Sequence, residues 1–188
     1  MQYVKPPIVL SLIVAIISAL IIVTYNFTYV DTSNILTDKQ AAAAVQIYGG
    51  TAAEYYVVPQ EKWQEKLGDE FSRITKVIKK DDGSVAFEAV VKGYKDGFDI
   101  LVGVKDGAVA GVAVVSAGEE TPGLGTKTND PAFLGRFNGI SGEAVIVKGE
   151  PSADNEVQAV TSATFSSRGV ASAVNLALKA YEKCGGEL

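Results

Sequence analysis

The chain has no histidine and a single cysteine, Cys184, among its 188 residues. A catalytic triad with a histidine base, or a zinc site built on histidines, is therefore excluded. One cysteine cannot form a disulfide within the chain, and it cannot supply the several thiolates that hold an iron–sulfur cluster. The formal net charge of −5 also argues against a nucleic-acid partner, because phosphate binding needs clustered lysine and arginine.

Charge is also absent near the N-terminus, where no charged residue occurs from Pro6 to Val30 and Ile8–Val23 is almost entirely apolar. About 20 apolar residues span the roughly 30 Å hydrocarbon core of a bilayer. Leucine, isoleucine and valine each favour insertion by about 0.3 to 0.6 kcal/mol. We therefore expect residues 1–30 to form a transmembrane anchor in contact with lipid.

The alternative for this segment is a cleaved signal peptide with Lys5 as its positive n-region. The apolar run is long for a signal peptide, and no small-x-small cleavage site follows it. Lys5 precedes the run while Asp31 and Asp38 follow it. The positive-inside bias therefore predicts a single-pass protein of the cell (inner) membrane, with a cytoplasmic N-terminus and an extracytoplasmic C-terminal domain.

The remainder of the chain has room for one compact domain. Residues 31–70 are expected to be a helical connection of two short helices, broken at Gly49-Gly50 and capped at its start by Thr37. From residue 71 the pattern changes to short β-rich runs, which are Ile74–Ile78, Ser84–Val91, Phe98–Val104 and Ala108–Val115. Asp-Gly pairs at 82–83, 96–97 and 106–107 separate them, and Asp-Gly is a strong hairpin signal. We expect an antiparallel meander of about four strands.

Three further elements complete the prediction for a domain over residues 71–188. Pro131–Phe137 is expected to form a short helix, and Glu143–Lys148 alternates like a strand. A C-terminal helix should present Val170, Val174, Leu178 and Tyr181 to the sheet and end at Gly185-Gly186. The fold class is α+β, with a mainly antiparallel sheet and a C-terminal helix after the transmembrane helix.

The first unusual segment is Glu120–Lys127, with the sequence ETPGLGTK. Pro-Gly favours a type II turn, and the glycines allow a ligand to approach the backbone. The P-loop pattern fails because Leu124 stands where lysine is required. The dinucleotide fingerprint fails because Thr128 stands at its third glycine. An ordinary strand-to-helix loop remains open as an alternative.

The second segment is Thr161–Ser167, which has five hydroxyl residues in seven positions directly before the C-terminal helix. Free N–H groups and the dipole at a helix N-terminus favour an anion, so this segment could seat a phosphate. The alternative is a helix N-cap with surplus serines. Neither segment is decisive alone.

Together, the order Glu-Thr-Pro-Gly-Leu-Gly at 120–125 and Thr-Ser-Ala-Thr at 161–164 resembles the FMN-binding domain family. This family includes the G subunit of the Rnf ferredoxin:NAD oxidoreductase complex and the C subunit of the sodium-pumping NADH:quinone oxidoreductase. The resemblance runs from about Thr37 to the C-terminus and includes the Gly93-Tyr94 loop. Ser162 stands where the family usually has glycine, and Gln158 where it has aspartate.

The resemblance implies that a dedicated flavin transferase joins the phosphate of FMN to the hydroxyl of Thr164, using FAD. The other cofactor-binding residues that it implies are Thr161, Ser162, Ala163, Ser166, Glu120, Thr121, Pro122, Gly123, Leu124, Gly125 and Thr126. No catalytic or metal-binding residue is expected. An aromatic ring could stack on the flavin, but the sequence does not choose among Tyr55, Tyr56, Trp63, Phe87, Tyr94 and Phe98.

The implied function is that of a flavin-carrying electron-transfer subunit in an Rnf-type ion-translocating oxidoreductase, without a complete active site of its own. Its expected partners are integral-membrane and iron–sulfur subunits. Three alternatives remain open: the C-type subunit of the quinone reductase, a membrane-anchored module without flavin, and a stand-alone flavoprotein reductase.

Overall fold

The computed structural model describes residues 5–28, 34–118 and 120–184 and divides the chain into two units, residues 1–32 and 33–188. The first unit contains helix α1, Lys5–Thr28. Within its 22 residues from Pro7 to Thr28, an 18-residue window has a mean hydropathy of 2.8. At 1.5 Å per residue the 22 residues extend about 33 Å. The Ser11 hydroxyl donates to the Pro7 carbonyl at 2.8 Å, so that polar group is satisfied within the helix. By length and composition α1 can cross a membrane.

The second unit is built on a five-stranded antiparallel sheet in the order β1-β2-β3-β4-β5. The strands are β1 Tyr55–Val57, β2 Ile74–Lys80, β3 Val85–Val91, β4 Phe98–Lys105 and β5 Ala108–Ser116. The predicted four-strand meander is confirmed, and β1 extends it by one edge strand. Asp106 and Gly107 connect β4 to β5 with φ values of 53° and 77°. Positive φ at both positions is what a two-residue type I′ turn requires.

Helix α2, Asp38–Tyr48, covers one face of the sheet. Thr37 caps it as expected, in a capping box with Gln40. A Cβ at Gly103 would overlap Ile47 and Tyr48, so glycine on β4 allows the helix to pack closely. The predicted connecting segment, residues 31–70, therefore contributes a helix to the same compact unit as the sheet.

Helix α5, Thr164–Lys183, covers the opposite face and forms the larger core with the sheet. Val170 and Val174 are fully buried there, as the helical spacing predicted. The shorter helices are α3 Gln60–Leu67 and α4 Pro131–Leu134, the latter continued by a 3-10 turn to Phe137. Gly185-Gly186, the predicted end of α5, lies outside the described residues.

The predicted strand Glu143–Lys148 is wrong in its extent. Only Val145–Val147 forms a strand, β6, which pairs in parallel with β7, Glu156–Gln158. Asn175 of α5 binds both backbone groups of Ala144, accepting from its N–H at 2.7 Å and donating to its carbonyl at 3.0 Å. The backbone at Ala144 is thereby held by α5 instead of by a strand partner.

Candidate functional site

The two unusual segments meet at a cavity of about 420 Å³. The lining residues are Tyr94, Thr121, Leu124, Gly125, Ser162, Ala163, Thr164, Phe165 and Ser166. They come from three places in the chain, which are the β3–β4 loop, the Pro-Gly loop after β5, and the beginning of α5. The volume is within the usual range for a small-molecule site.

Glu120, in the Pro-Gly loop, forms hydrogen bonds with the β3–β4 loop and with the beginning of α5. Its side chain is only 5% exposed and lies behind the residues that line the cavity. Its Oε2 accepts a 2.5 Å hydrogen bond from the Ser166 hydroxyl. Its Oε1 accepts from the backbone N–H groups of Tyr94 at 2.8 Å and Lys95 at 3.3 Å. These hydrogen bonds offset the free-energy cost of burying a carboxylate.

Two glycines leave room for that carboxylate. A Cβ at Gly93 would overlap Oε1 of Glu120, and a Cβ at Gly125 would overlap Oε2. Gly93 precedes Tyr94 in the β3–β4 loop, and Gly125 ends the Pro-Gly loop. The family resemblance included both positions, and the geometry supplies the physical reason for glycine at each.

The Pro-Gly turn forms as the sequence predicts. Gly123 has a φ of 74°, which suits the third position of a type II turn. The Leu124 N–H donates to the Thr121 carbonyl at 3.1 Å, closing the turn. Leu124 is 44% exposed, with its side chain at the cavity wall.

Helix α5 begins at Thr164 without a hydroxyl cap. Its N-cap residue is Ala163, and no side chain makes a capping hydrogen bond. The alternative of a serine-rich N-cap is therefore wrong, because no hydroxyl caps the helix and Ser166 and Ser167 bond elsewhere. Ser167 donates its hydroxyl to the Ala163 carbonyl at 2.9 Å and accepts from the Val160 N–H at 3.0 Å. The first N–H groups of a helix have no partner within it, and here they lie beside the cavity.

Ser162 has a φ of 64°, and the only other described non-glycine residue with positive φ is Asp106. This left-handed conformation costs a residue with a Cβ about 1 to 2 kcal/mol, and glycine avoids that cost. The resembled family usually has glycine at this position. The left-handed backbone explains the preference for glycine. Ser162 adopts the same left-handed conformation despite the strain.

The cavity brings together seven of the twelve site residues predicted from the sequence. They are Thr121, Leu124, Gly125, Ser162, Ala163, Thr164 and Ser166. Glu120 lies behind them, while Thr161, Pro122, Gly123 and Thr126 do not line the cavity. The lining also includes Phe165, which sequence reasoning did not select, and Tyr94, which it could not distinguish from the other aromatic residues.

These residues fit FMN in two respects. The uncapped start of α5 offers N–H groups and the positive end of the helix dipole to a phosphate. The exposed apolar side chains of Tyr94, Leu124 and Phe165 suit a planar, mostly apolar ring. Among the described residues no group of three or more histidine, cysteine, aspartate or glutamate side chains could hold a metal ion. The fold and site define a protein with a candidate membrane anchor and a candidate site for a phosphate-bearing organic cofactor.

The sequence profile of the FMN-binding domain family matches residues 93–179, a range that includes Tyr94, the Pro-Gly loop and Thr164. Over 149 residues the chain is 32% identical to the G subunit of the proton-translocating ferredoxin:NAD(+) oxidoreductase complex of Clostridium ljungdahlii, covering 73% of this chain and 80% of the relative. It is 28% identical over 183 residues to the G subunit of the Na(+)-translocating complex of Acetobacterium woodii, covering 90% and 87%. The chain belongs to the FMN-binding domain family, among the G subunits of ferredoxin:NAD(+) oxidoreductase complexes.

Two solved structures are also similar. The C subunit of the Na(+)-translocating NADH-quinone reductase from Parabacteroides distasonis gives a TM-score of 0.51 at 20% identity, over 81% of this chain and 93% of that one. This likeness shows a shared fold. NqrC of Shewanella oneidensis gives a TM-score of 0.47 at 26% identity, over 57% of this chain and 58% of that one.

Proposed function

We propose that the chain is the flavin-carrying electron-transfer subunit of an Rnf-type ion-translocating oxidoreductase, with FMN joined through its phosphate to the hydroxyl of Thr164. Family membership supports the flavin and the complex. The observation that carries the attachment site is the position of Thr164. It is the first residue of α5 and lines the cavity at which the two family motifs meet.

The other hydroxyls of the second motif are less suited to carry the phosphate. Ser166 is 1% exposed and donates to Glu120, and Ser167 is fully buried. Thr161 does not line the cavity. A phosphate on the side chain of Thr164 would lie beside the uncapped N–H groups of α5, which favour an anion. Only Ser162 competes, since it is exposed and also lines the cavity.

FMN, when bound, supplies one- and two-electron chemistry that the protein's side chains lack. The residues of this chain hold and shield it. Backbone N–H groups at the start of α5 would bind the phosphate, while Leu124 and the neighbouring aromatic side chains would exclude water from the ring. Glu120 holds the loops that carry these groups. The sequence has no dinucleotide fingerprint and too few cysteines for an iron–sulfur cluster, so electrons would enter and leave through partner subunits.

The N-terminus would lie in the cytoplasm, α1 would cross the membrane, and the flavin domain would lie outside the cytoplasm. An ester bond would prevent loss of the flavin where no cytoplasmic pool could replace it. A flavin transferase would form that bond. The integral-membrane and iron–sulfur subunits of the complex would be the electron-transfer partners.

In-gel fluorescence tests the attachment. After co-expression with a flavin transferase, the denatured wild-type chain should fluoresce under ultraviolet light, and Thr164→Val should not. Thr161→Val and Ser162→Gly each remove one neighbouring hydroxyl and should keep the fluorescent band. An unlabelled wild-type chain would favour a flavin-free module, whereas a labelled Thr164→Val chain would show that the site is wrong.

Membership of the complex has a separate test. A tagged full-length chain should co-purify from membranes with integral-membrane and iron–sulfur subunits. Thr164→Val should co-purify to the same extent but abolish ferredoxin-dependent NAD⁺ reduction by those membranes. Recovery of the labelled chain alone would instead favour a stand-alone reductase.

A further inference from the structure

Large apolar side chains that remain exposed are concentrated at the cavity. In the described part of the second unit, six such side chains are at least two-fifths exposed, namely Ile35, Tyr56, Tyr94, Leu124, Val145 and Phe165. Three of the six line this one cavity. Phe165 at 63% and Tyr94 at 59% are the most exposed of all six. Clustered exposed apolar surface is typical of a binding site.

Tyr94 and Phe165 contact each other edge to face across the cavity wall. Their ring centroids are 6.5 Å apart, with 62° between the ring planes, a favourable geometry for an aromatic pair. Both backbones are fixed, because the Tyr94 N–H donates to Glu120 and Phe165 lies in the first turn of α5. The two rings are therefore held in place while much of their surface remains in water.

We propose that Tyr94 and Phe165 form the aromatic wall that contacts the isoalloxazine ring of FMN. This inference rests on the proposed function and assigns the ring contact to particular residues. Phe165 directly follows Thr164, so the residue that carries the phosphate and a residue that contacts the ring lie in one helical turn. The N–H groups of α5 would hold the phosphate, and the two aromatic side chains would contact the ring.

The other aromatic candidates do not meet these conditions. Trp63 is 3% exposed, Tyr55 is 6% exposed, and Phe87 and Phe98 are fully buried in the core. Tyr56 is 48% exposed but lies on edge strand β1 and does not line the cavity. Tyr56 is therefore a matched control, since it is an exposed aromatic residue away from the site.

Ligand titration of the full-length chain in detergent tests the contact. The Thr164→Val background removes the ester, so that affinity can be measured. The probes are FMN and lumiflavin, which has the ring but no ribityl phosphate. Adding Tyr94→Leu or Phe165→Leu should weaken binding of both probes roughly two- to tenfold, the loss expected for one aromatic contact. Adding Tyr56→Leu should leave both affinities unchanged.

Two results would overturn the inference. Unchanged affinity in both variants would mean that neither ring contacts the flavin, and weaker binding of FMN but not of lumiflavin would place their effect at the phosphate. A second measurement uses the covalently labelled chain, in which iodide quenching of flavin fluorescence should increase in Tyr94→Leu and Phe165→Leu. If the wild-type chain is labelled but iodide quenching in both variants equals that of the wild type, this inference alone is overturned. An unlabelled wild-type chain with no FMN binding in Thr164→Val would overturn the proposed function as well.

Discussion

The hydroxyl of Ser166 donates a 2.5 Å hydrogen bond to Oε2 of Glu120, across 46 residues of sequence. The other oxygen of Glu120 binds the backbone of the β3–β4 loop. One buried carboxylate thus joins the beginning of α5 to two loops that form the cavity.

Replacing that carboxylate should destabilise the fold. Glu120→Ala leaves the Ser166 hydroxyl and two backbone N–H groups without their partner, which should lower the free energy of unfolding by about 3 kcal/mol. Glu120→Gln keeps an acceptor for the N–H groups and a donor for Ser166, so about 1 kcal/mol is expected. Chemical denaturation of the full-length chain in detergent measures both. The exposed Glu150→Ala is the control and should be neutral, and a neutral Glu120→Ala would contradict the joining role.

The backbone at Ser162 offers a substitution that should stabilise the chain. Ser162→Gly relieves the left-handed strain but increases the freedom of the unfolded chain, so a net gain of about 0.5 kcal/mol is expected. The reverse change, Gly123→Ser, places a side chain at a φ of 74° with no atom within 4 Å of its Cβ. It should cost about 1 kcal/mol from backbone strain alone. The melting temperature should rise for Ser162→Gly and fall for Gly123→Ser. A lower melting temperature for Ser162→Gly would contradict the prediction that the backbone at Ser162 is strained.

Gly125 should tolerate no side chain. A Cβ there would overlap the Glu120 carboxylate and would lie 3.0 Å from the Ser166 hydroxyl. Gly125→Ala should therefore cost about 2 to 3 kcal/mol and weaken flavin binding, because the loop must move away from α5. Gly135→Ala has no atom within 4 Å of the added Cβ and should be near neutral. Equal denaturation midpoints for the two variants would show that the packing at Gly125 is not tight.

A half-buried carboxylate on β4, that of Asp99, should make stability depend on pH. Burial raises the pKa of Asp99 to about 7, the nearby Glu88 carboxylate adds to the increase, and Lys76 partly opposes it. The Oδ1 atom of Asp99 is buried without a hydrogen-bond partner among the described residues. Glu88 is only 2% exposed, and both of its oxygens accept from the Gln40 amide.

The folded chain then holds a proton on Asp99 that the unfolded chain loses near pH 4. Its contribution is fully present below pH 4 and is lost as pH rises to about 7, so this group should lower the unfolding free energy over that range. Asp99→Asn should flatten this part of the pH profile and raise stability at pH 8. The exposed Asp154→Asn should leave the profile unchanged. Other groups can make the wild-type stability rise from pH 4 to 7, but Asp99→Asn should then steepen that rise. A steady wild-type rise that Asp99→Asn does not steepen would contradict the prediction.

Local signals in the sequence determined much of this fold. The uncharged apolar run predicted α1, because hydropathy depends only on the residues of the segment itself. Asp-Gly pairs predicted the turns, because glycine adopts the positive φ that a tight turn requires at little cost. The spacing of Val170 and Val174 gave the buried face of α5. The two family motifs were visible as well, and they pointed to Thr164.

Tertiary structure decided what depends on distant contacts. The three-residue strands β1 and β7 exist only through pairing with other segments, and Ala144 leaves its predicted strand because Asn175 holds its backbone. The cavity also depends on distant contacts, because Glu120 joins segments that are far apart in sequence. These contacts bring Tyr94 and Phe165, among the many aromatic residues, to the cavity. The sequence led to the proposal of Thr164 only through the resemblance of its two motifs to the family, and a motif is a local feature. Only folding could show which side chains share its cavity, because their proximity results from packing.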